Sequence, residues 1–430
     1  MKSLRIQAFS ETLDRNNVAL ALYAAIVAFF TYSCMYAFRK PYSAATFETV
    51  GGFSISYKVL LVIAQLIGYT ISKFFGIKVI AELKSHHRAF GIIGLIFLAW
   101  FSLFLFAILP PSLGIFCLFL NGLPLGLIWG LVFSYVEGRK TTEFMGAVLT
   151  VSFIFSSGFV KSAGKWLMVD FGVSEFWMPF FTGLIFILPI ILFVLLLEQI
   201  PAPNAEDIEL RTERLPMTKQ QRKEFIKSFL PGILMLVTTY IMLSVIRDFR
   251  DNFAADIWKE AGFEKVPSIF TTTEIPTSII ILVLMSLLIL VKNNFRALNI
   301  NHWMISVGFG VALLATVAFQ AGLISPVIWM MANGLGLYLG YVPFNCMLFE
   351  RMIAAFKRPA NVGFLMYISD SFGYLGSIGI LFYKEFGTHN ISWINFFSGM
   401  IYVVCTIGIL FTIFSQIYFS RKRNELLGTA

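Results

Sequence analysis

Twelve long apolar runs constrain the fold of this chain more than any other feature of its sequence. The hydrocarbon core of a bilayer is about 30 Å thick, and an α-helix needs about 20 apolar residues to cross it. Of the 430 residues, 58% are hydrophobic and 13% are charged, which excludes a disordered chain, a disulfide scaffold and an ordinary cytosolic enzyme. The predicted membrane spans are residues 18–47, 57–80, 89–109, 112–135, 143–166, 177–198, 229–257, 267–291, 302–322, 325–347, 360–383 and 392–419.

A single long polar stretch separates these runs into two sets of six. It begins with PAPNAEDIEL, and its prolines and mixed charges are typical of a linker. We therefore predict an N-terminal half at residues 1–198, a linker at 199–228 and a C-terminal half at 229–430.

Two segments of the first half recur in the second. NGLPLGLIWGLVFSYVEGR at 121–139 aligns without a gap with NGLGLYLGYVPFNCMLFER at 333–351, and YSCMYAFR at 32–39 aligns with YIMLSVIR at 240–247. Six helices repeated in parallel about an axis along the membrane normal are typical of the major facilitator fold. We predict this all-α membrane fold, with twelve transmembrane helices in two pseudo-symmetric six-helix halves.

Lysine and arginine residues lie mostly on one side of the predicted membrane. The termini, the even-numbered loops and the linker carry 22 of them against 8 on the other side, with three residues inside spans set aside. Because cytoplasmic loops are rich in basic residues, both termini are predicted to be cytoplasmic. The net charge of +9 has the same origin, so no nucleic-acid partner is expected.

Ionisable side chains inside a membrane span are costly, and each is a candidate for function. Arg39 and Arg247 stand out because they occupy matching positions in the two halves. A pseudo-two-fold axis predicts that they face each other across a central cavity. A guanidinium donates two parallel hydrogen bonds and stays charged, so the pair predicts an oxyanion substrate. The other candidates are Lys73, Glu274 and Asp370.

Short motifs in five spans carry a resemblance to a known family. They are FRKPYSAA in the first span, YTISKF in the second, VIRDFRDNF in the seventh, and LGYVPFN and FGYLGS in spans ten and eleven. The chain thereby resembles the organophosphate:phosphate antiporters of the major facilitator superfamily, the glycerol-3-phosphate and hexose-6-phosphate exchangers. The resemblance implies a phosphate-binding site formed by Arg39, Arg247, Lys73, Tyr69, Tyr341 and Tyr374.

The chain also departs from that family. Ser156 falls near the position of a histidine in the glycerol-3-phosphate exchangers, and IAELKSHHR keeps only Glu82 and Arg88 of an acidic and basic loop signature. Asp370 has no counterpart in the family motif. These differences indicate a separate bacterial branch of the superfamily.

These observations predict a secondary transporter that works by alternating access and exchanges an organic anion or phosphate ester, with inorganic phosphate as a possible counter-substrate. In the empty carrier two facing arginines would repel each other, and a bound dianion would favour closure. We expect no enzymatic activity, cofactor or metal site, since GxSxG, HExxH and Walker patterns are missing from the sequence. The expected form is a monomer in the lipid bilayer of a bacterial plasma (inner) membrane.

Alternatives remain open at this point. Asp370 or Glu274 could take up a proton during transport, which would make the protein a proton-coupled symporter of another polar metabolite. Asp370 lies four residues before Tyr374, on the same helical face, and could instead pair with a cavity cation when the carrier is empty. A transporter-like membrane sensor is a further alternative, although the linker and tails are short for an output domain.

We predict that a cysteine introduced at Ser228 reacts only from the cytoplasmic side and that one at Gly262 reacts only from outside, because of the bias in basic residues. The measurement is labelling with a membrane-impermeant maleimide, in intact cells and in inverted vesicles, in a background without the native cysteines. Labelling of position 228 in intact cells would reverse the orientation.

Overall fold

The computed structural model describes residues 6–82, 87–139, 141–203, 207, 219–356, 362–387 and 391–428, and these ranges contain helices and no β-strand. A 3₁₀ helix spans Pro41–Ala44. The α-helices are α1 (Gln7–Asp14), α2 (Asn17–Tyr36), α3 (Tyr57–Glu82), α4 (Arg88–Ile108), α5 (Pro111–Val136), α6 (Thr142–Phe171), α7 (Met178–Leu197), α8 (Lys219–Asn252), α9 (Ala254–Glu260), α10 (Ile269–Ile289), α11 (Asn294–Gln320), α12 (Pro326–Cys346), α13 (Leu348–Phe356), α14 (Val362–Gly387) and α15 (Trp393–Gly428).

Ten of these helices are long and apolar enough to cross a membrane, judged over the described residues alone. They are α2, α4, α5, α6, α7, α8, α10, α11, α12 and α15. The two remaining predicted spans coincide with α3 and α14, which have 26 residues each. Each of the twelve predicted spans therefore coincides with one long helix, and the chain is an integral membrane protein.

The first spanning helix ends earlier than its apolar run predicts. The predicted span covers residues 18–47, but α2 ends at Tyr36, and Arg39 lies in the turn that follows. Proline has no N–H to donate and its ring clashes with the carbonyl four residues earlier, so Pro41 prevents the helix from continuing. The N–H groups of Arg39 and Lys40 both donate to the carbonyl of Tyr36, at 3.0 and 2.9 Å, and close the turn.

The seventh spanning helix also differs from the prediction. It begins at Lys219, inside the predicted linker, because lysine, glutamine and glutamate favour helix even where they are exposed to water. It ends at Asn252 rather than at residue 257, since Phe253 leaves the helical conformation with φ −109° and ψ 16° before α9 begins.

The chain divides into two compact units. The first comprises residues 1–211 and 251–278, and the second comprises residues 212–250 and 279–430. Residues 251–278 thus pack with the first unit, although they follow the predicted linker. The division into halves at residues 198 and 229 stays a prediction.

Glycine residues allow α3 and α5 of the first unit to approach each other closely. A Cβ atom at Gly122 would lie 2.3 Å from the carbonyl oxygen of Gln65, and one at Gly126 would lie 2.7 Å from that of Tyr69. Lipid is as apolar as the side chains of a membrane helix, so such helices associate through close packing of this kind. The contact lies where α3 carries the predicted site residue Tyr69.

Candidate functional site

The first unit brings three predicted site residues together around one tyrosine ring. The Cζ atom of Arg39 lies 3.9 Å from the ring centroid of Tyr69, and the Nζ atom of Lys73 lies 5.3 Å from the same centroid. Tyr69 and Lys73 are one turn apart on α3 and so share one face of that helix. The ring of Tyr36 is 5.8 Å from Cζ of Arg39. Arg39, Lys73 and Tyr69 thus form one cluster.

Buried amide side chains hold the turn that carries Arg39. Gln65 donates to the carbonyl oxygen of Arg39 at 2.9 Å, and Asn121 donates to that of Phe38 at 3.0 Å. Gln65 also donates to the side-chain oxygen of Asn121 at 2.8 Å and accepts a hydrogen bond from the hydroxyl of Tyr42 at 3.2 Å. These hydrogen bonds hold the backbone of the turn that contains Arg39. The sequence analysis missed Gln65 as a positioning residue, although a glutamine in an apolar span is itself a signal.

The second unit contains a similar contact between arginine and tyrosine. The Cζ atom of Arg247 on α8 lies 4.4 Å from the ring centroid of Tyr341 on α12 and 6.0 Å from that of Tyr374 on α14. The side chain of Arg247 is 17% exposed. Three more of the predicted residues are therefore neighbours, and each of the two units carries one arginine over a tyrosine ring.

Asp370 joins this second cluster through tyrosine hydroxyls. The hydroxyl of Tyr240 donates to the Asp370 carboxylate, and it lies 3.2 Å from the hydroxyl of Tyr341, the ring beneath Arg247. Tyr240 was not predicted as a site residue. Its match to Tyr32 in the sequence repeat is the signal that could have identified it.

Asp248 is a second residue that the sequence analysis missed. Its carboxylate accepts hydrogen bonds from Nε and Nη2 of Arg247, at 2.9 and 2.7 Å. An acidic residue next to an arginine in an apolar helix is a signal of intramembrane pairing, but the run RDFRD also resembles an ordinary charged helix end.

Glu274 lies on α10, in the part of that helix that packs with the first unit. It is 8% exposed and lies against α6, where a Cβ atom at Gly158 would come within 2.7 Å of its Cγ atom. The structure thus places this predicted coupling residue in a helix contact of the first unit.

A network of buried ion pairs in the first unit was also missed. The Asp251 carboxylate bridges two lysines, with Nζ of Lys40 at 2.5 Å and Nζ of Lys161 at 2.7 Å. The Nζ atom of Lys58 lies 2.5 Å from the carboxylate of Asp256. Lys161 lies near the end of a predicted span and is only 3% exposed. The partners are far apart in sequence, so spacing could not reveal them.

A related pair lies at the surface of the first unit. Lys259 on α9 donates to the carboxylate of Glu48 and is 3.7 Å from that of Glu264. The hydrogen bond to Glu48 raises the pKa of Lys259 above its ordinary value. Within the described ranges, no group of three His, Cys, Asp or Glu residues is placed to hold a metal ion.

Comparison of the sequence with known proteins gives one family. The model of a family of unknown function, DUF5690, matches residues 41–422. The chain belongs to this family. No curated protein sequence matches the chain.

Solved structures similar to this DUF5690 protein establish its fold. A D-xylose-proton symporter has a TM-score of 0.60 and 15% identity, over 92% of this chain and 96% of its own. A nucleoside transporter has a TM-score of 0.61 and 13% identity, over 93% and 99%. A peptide transporter in complex with sulfate has a TM-score of 0.61 and 12% identity, over 95% and 94%. The DUF5690 protein has the major facilitator fold, as its sequence predicts.

We predict that Gln65→Ala destabilises the protein by about 1 to 3 kcal/mol, because it removes the hydrogen bonds that Gln65 makes to the Arg39 carbonyl, the Asn121 side-chain oxygen and the Tyr42 hydroxyl. The measurement is thermal unfolding of the purified protein in detergent. Gln320→Ala is the matched control, since this glutamine contacts Tyr402 at an exposed helix end. Equal melting temperatures for the two variants would show that Gln65 does not hold the turn.

Proposed function

We propose that this DUF5690 protein is a secondary active transporter that works by alternating access and exchanges small organic anions or phosphate esters. Inorganic phosphate is the proposed counter-substrate, and a bacterial plasma membrane is the proposed location, with both termini in the cytoplasm. The observation that carries the proposal is the arginine held over a tyrosine ring in each of the two units. The similarity in fold to symporters and other transporters supports the general mechanism.

The ring contact prepares a guanidinium to bind an oxyanion. Attraction between the cation and the ring face contributes about 0.5 to 2 kcal/mol and restrains the position of the guanidinium. A restrained guanidinium presents its N–H groups to a ligand from a defined place in the protein. Two parallel N–H bonds match two oxygens of a phosphate or carboxylate, and a lysine ammonium does not reproduce this match.

The other cluster residues suit the same kind of substrate. Lys73 adds a second positive charge beside Arg39, at the ring of Tyr69. Tyr374 and Tyr341 both lie near Arg247, and tyrosine hydroxyls can donate to the oxygens or sugar-like hydroxyls of an ester. A rigid set of donors loses little entropy when the ligand binds.

Exchange follows from what an anion does to these clusters. Arginine side chains carry positive charge at every physiological pH, so a bound anion lowers the electrostatic cost of burying them. A carrier that changes conformation more readily with a bound ligand than without one transports a ligand on each passage, inward and outward. In the proposed mechanism, the concentration gradient of one substrate therefore drives the transport of the other substrate.

We predict that Arg39→Lys and Arg247→Lys each lower the affinity for the exchanged anion by about 10- to 100-fold, because lysine keeps the charge but not the bidentate geometry. The measurement is counterflow into liposomes loaded with phosphate, with labelled phosphate and a panel of phosphate esters outside. Arg421→Lys, at an exposed position on α15, is the control. Near-normal exchange by both cluster variants would contradict a role of the arginines in binding.

A proton-coupled symporter is the second candidate function. The observation that favours it is the contact between the Asp370 carboxylate and the hydroxyl of Tyr240, which links an acidic residue to the arginine cluster. A carboxylate in that position could gain a proton when substrate binds and release it on the other side of the membrane. The substrate would then be another polar metabolite.

The two candidates differ in what Asp370→Asn does. The amide oxygen still accepts the Tyr240 hydrogen bond but carries no charge, so the fold is preserved. For the proton-coupled symporter, we expect loss of uptake driven by a pH gradient with counterflow retained. Liposomes with an imposed pH gradient and a fluorescent pH indicator provide the measurement. Uptake that is independent of the pH gradient in the native protein would leave exchange as the function.

A further inference from the structure

Arg247 already holds a carboxylate on one of the two edges with which a guanidinium can bind an oxyanion in a bidentate manner. Nε and Nη2 form one side of the guanidinium fork, and both donate to the same Oδ1 atom of Asp248. The Cζ atom of the same guanidinium lies 4.4 Å from the ring centroid of Tyr341. A substrate oxyanion that bound this edge in a bidentate manner would meet Asp248 there.

The other carboxylate oxygen of Asp248 has a separate partner. The hydroxyl of Ser377 on α14 donates to Oδ2 at 2.6 Å, and Ser377 is 1% exposed. The serine reaches Asp248 because α14 lies very close to α8: a Cβ atom at Gly373 would lie 2.7 Å from the hydroxyl of Ser244, and one at Gly376 would lie 2.6 Å from Ile241. Asp248 is therefore held from two sides, by a charged and by a neutral donor.

We propose that the Asp248 carboxylate competes with the substrate for Arg247. In the empty protein the carboxylate is hydrogen-bonded to Arg247; a bound substrate replaces it there, while Ser377 stays hydrogen-bonded to Asp248. The inference rests on the proposed function and adds a residue that sets its affinity. The structure contributes the two bonds to Arg247 and the separate bond to Ser377.

The competition has two physical consequences. It limits the cost of burying Arg247 when no substrate is bound, since a buried cation is stabilised by a paired acid. It also weakens the binding of every anion, because apparent affinity falls with the fraction of molecules in which the binding edge is open. An exchanger benefits from weak binding, since it must release each substrate as well as capture it.

The test compares native protein with Asp248→Asn, purified whole in detergent at constant ionic strength. The asparagine can keep the Ser377 bond but offers Arg247 only a neutral oxygen. We expect inorganic phosphate, measured by equilibrium dialysis, to bind at least tenfold more tightly. Asp170→Asn, which removes an exposed carboxylate at the end of α6, is the control for total charge and should leave binding unchanged. Asp248→Ser replaces the first variant if that one does not purify.

A second measurement locates the effect at Arg247. Phenylglyoxal modifies arginine N–H groups, and tandem mass spectrometry of α8 peptides separates modification at Arg247 from that at Arg250 on the same helix. We expect several-fold faster modification in Asp248→Asn than in the native protein, with protection by phosphate. Tighter phosphate binding without faster modification would mean that Asp248 acts by repulsion at a distance, which overturns the inference.

The outcomes separate the two proposals. Equal or weaker phosphate affinity in Asp248→Asn overturns the competition but leaves the anion site intact, because the native protein still binds. If phosphate binds neither protein, the proposed anion transport is wrong and the role of Asp248 is overturned with it.

Discussion

A guanidinium in a hydrocarbon environment needs neighbouring groups that stabilise its charge, and much of the polar structure of this protein follows from that constraint. Both arginines lie over tyrosine rings, at 3.9 Å in one unit and 4.4 Å in the other. The remaining support differs between them. Amide side chains hold the backbone around Arg39, whereas a neighbouring carboxylate bonds Arg247 directly. The two clusters thus share the contact between arginine and tyrosine ring, and they differ in which part of the arginine the neighbouring polar side chains bond.

The sequence predicts the helices well and their ends poorly. Hydropathy averages over about 20 residues, so the number and order of the spans follow from it with little error. A helix end depends on single residues, as where Pro41 ends α2 at Tyr36 although the apolar run continues to residue 47. The linker shows the opposite error, since its last residues are polar and nevertheless helical from Lys219 onward.

The site divides in the same way. The cations Arg39, Lys73 and Arg247 could be identified because a charge within an apolar run is visible in the sequence itself, and short motifs that resemble those of another family suggest the tyrosines. The partners of buried cations could not be identified from the sequence, because contacts such as that between Lys40 and Asp251 join residues more than 200 positions apart. Asp248 was visible beside Arg247, but only the hydrogen bonds distinguish a paired intramembrane acid from a charged helix end.

The glycine contact between α3 and α5 has a mechanical consequence. Where two helix backbones are in direct contact, no flexible side chain lies between them to accommodate a displacement. The pair of helices is therefore expected to be rigid. The contact passes through Gln65 and Tyr69 themselves, the residues that hold the Arg39 turn and its guanidinium. A displacement of α3 against α5 would therefore disturb the Arg39 turn and Tyr69 directly, so we expect these two helices to move together with the cluster.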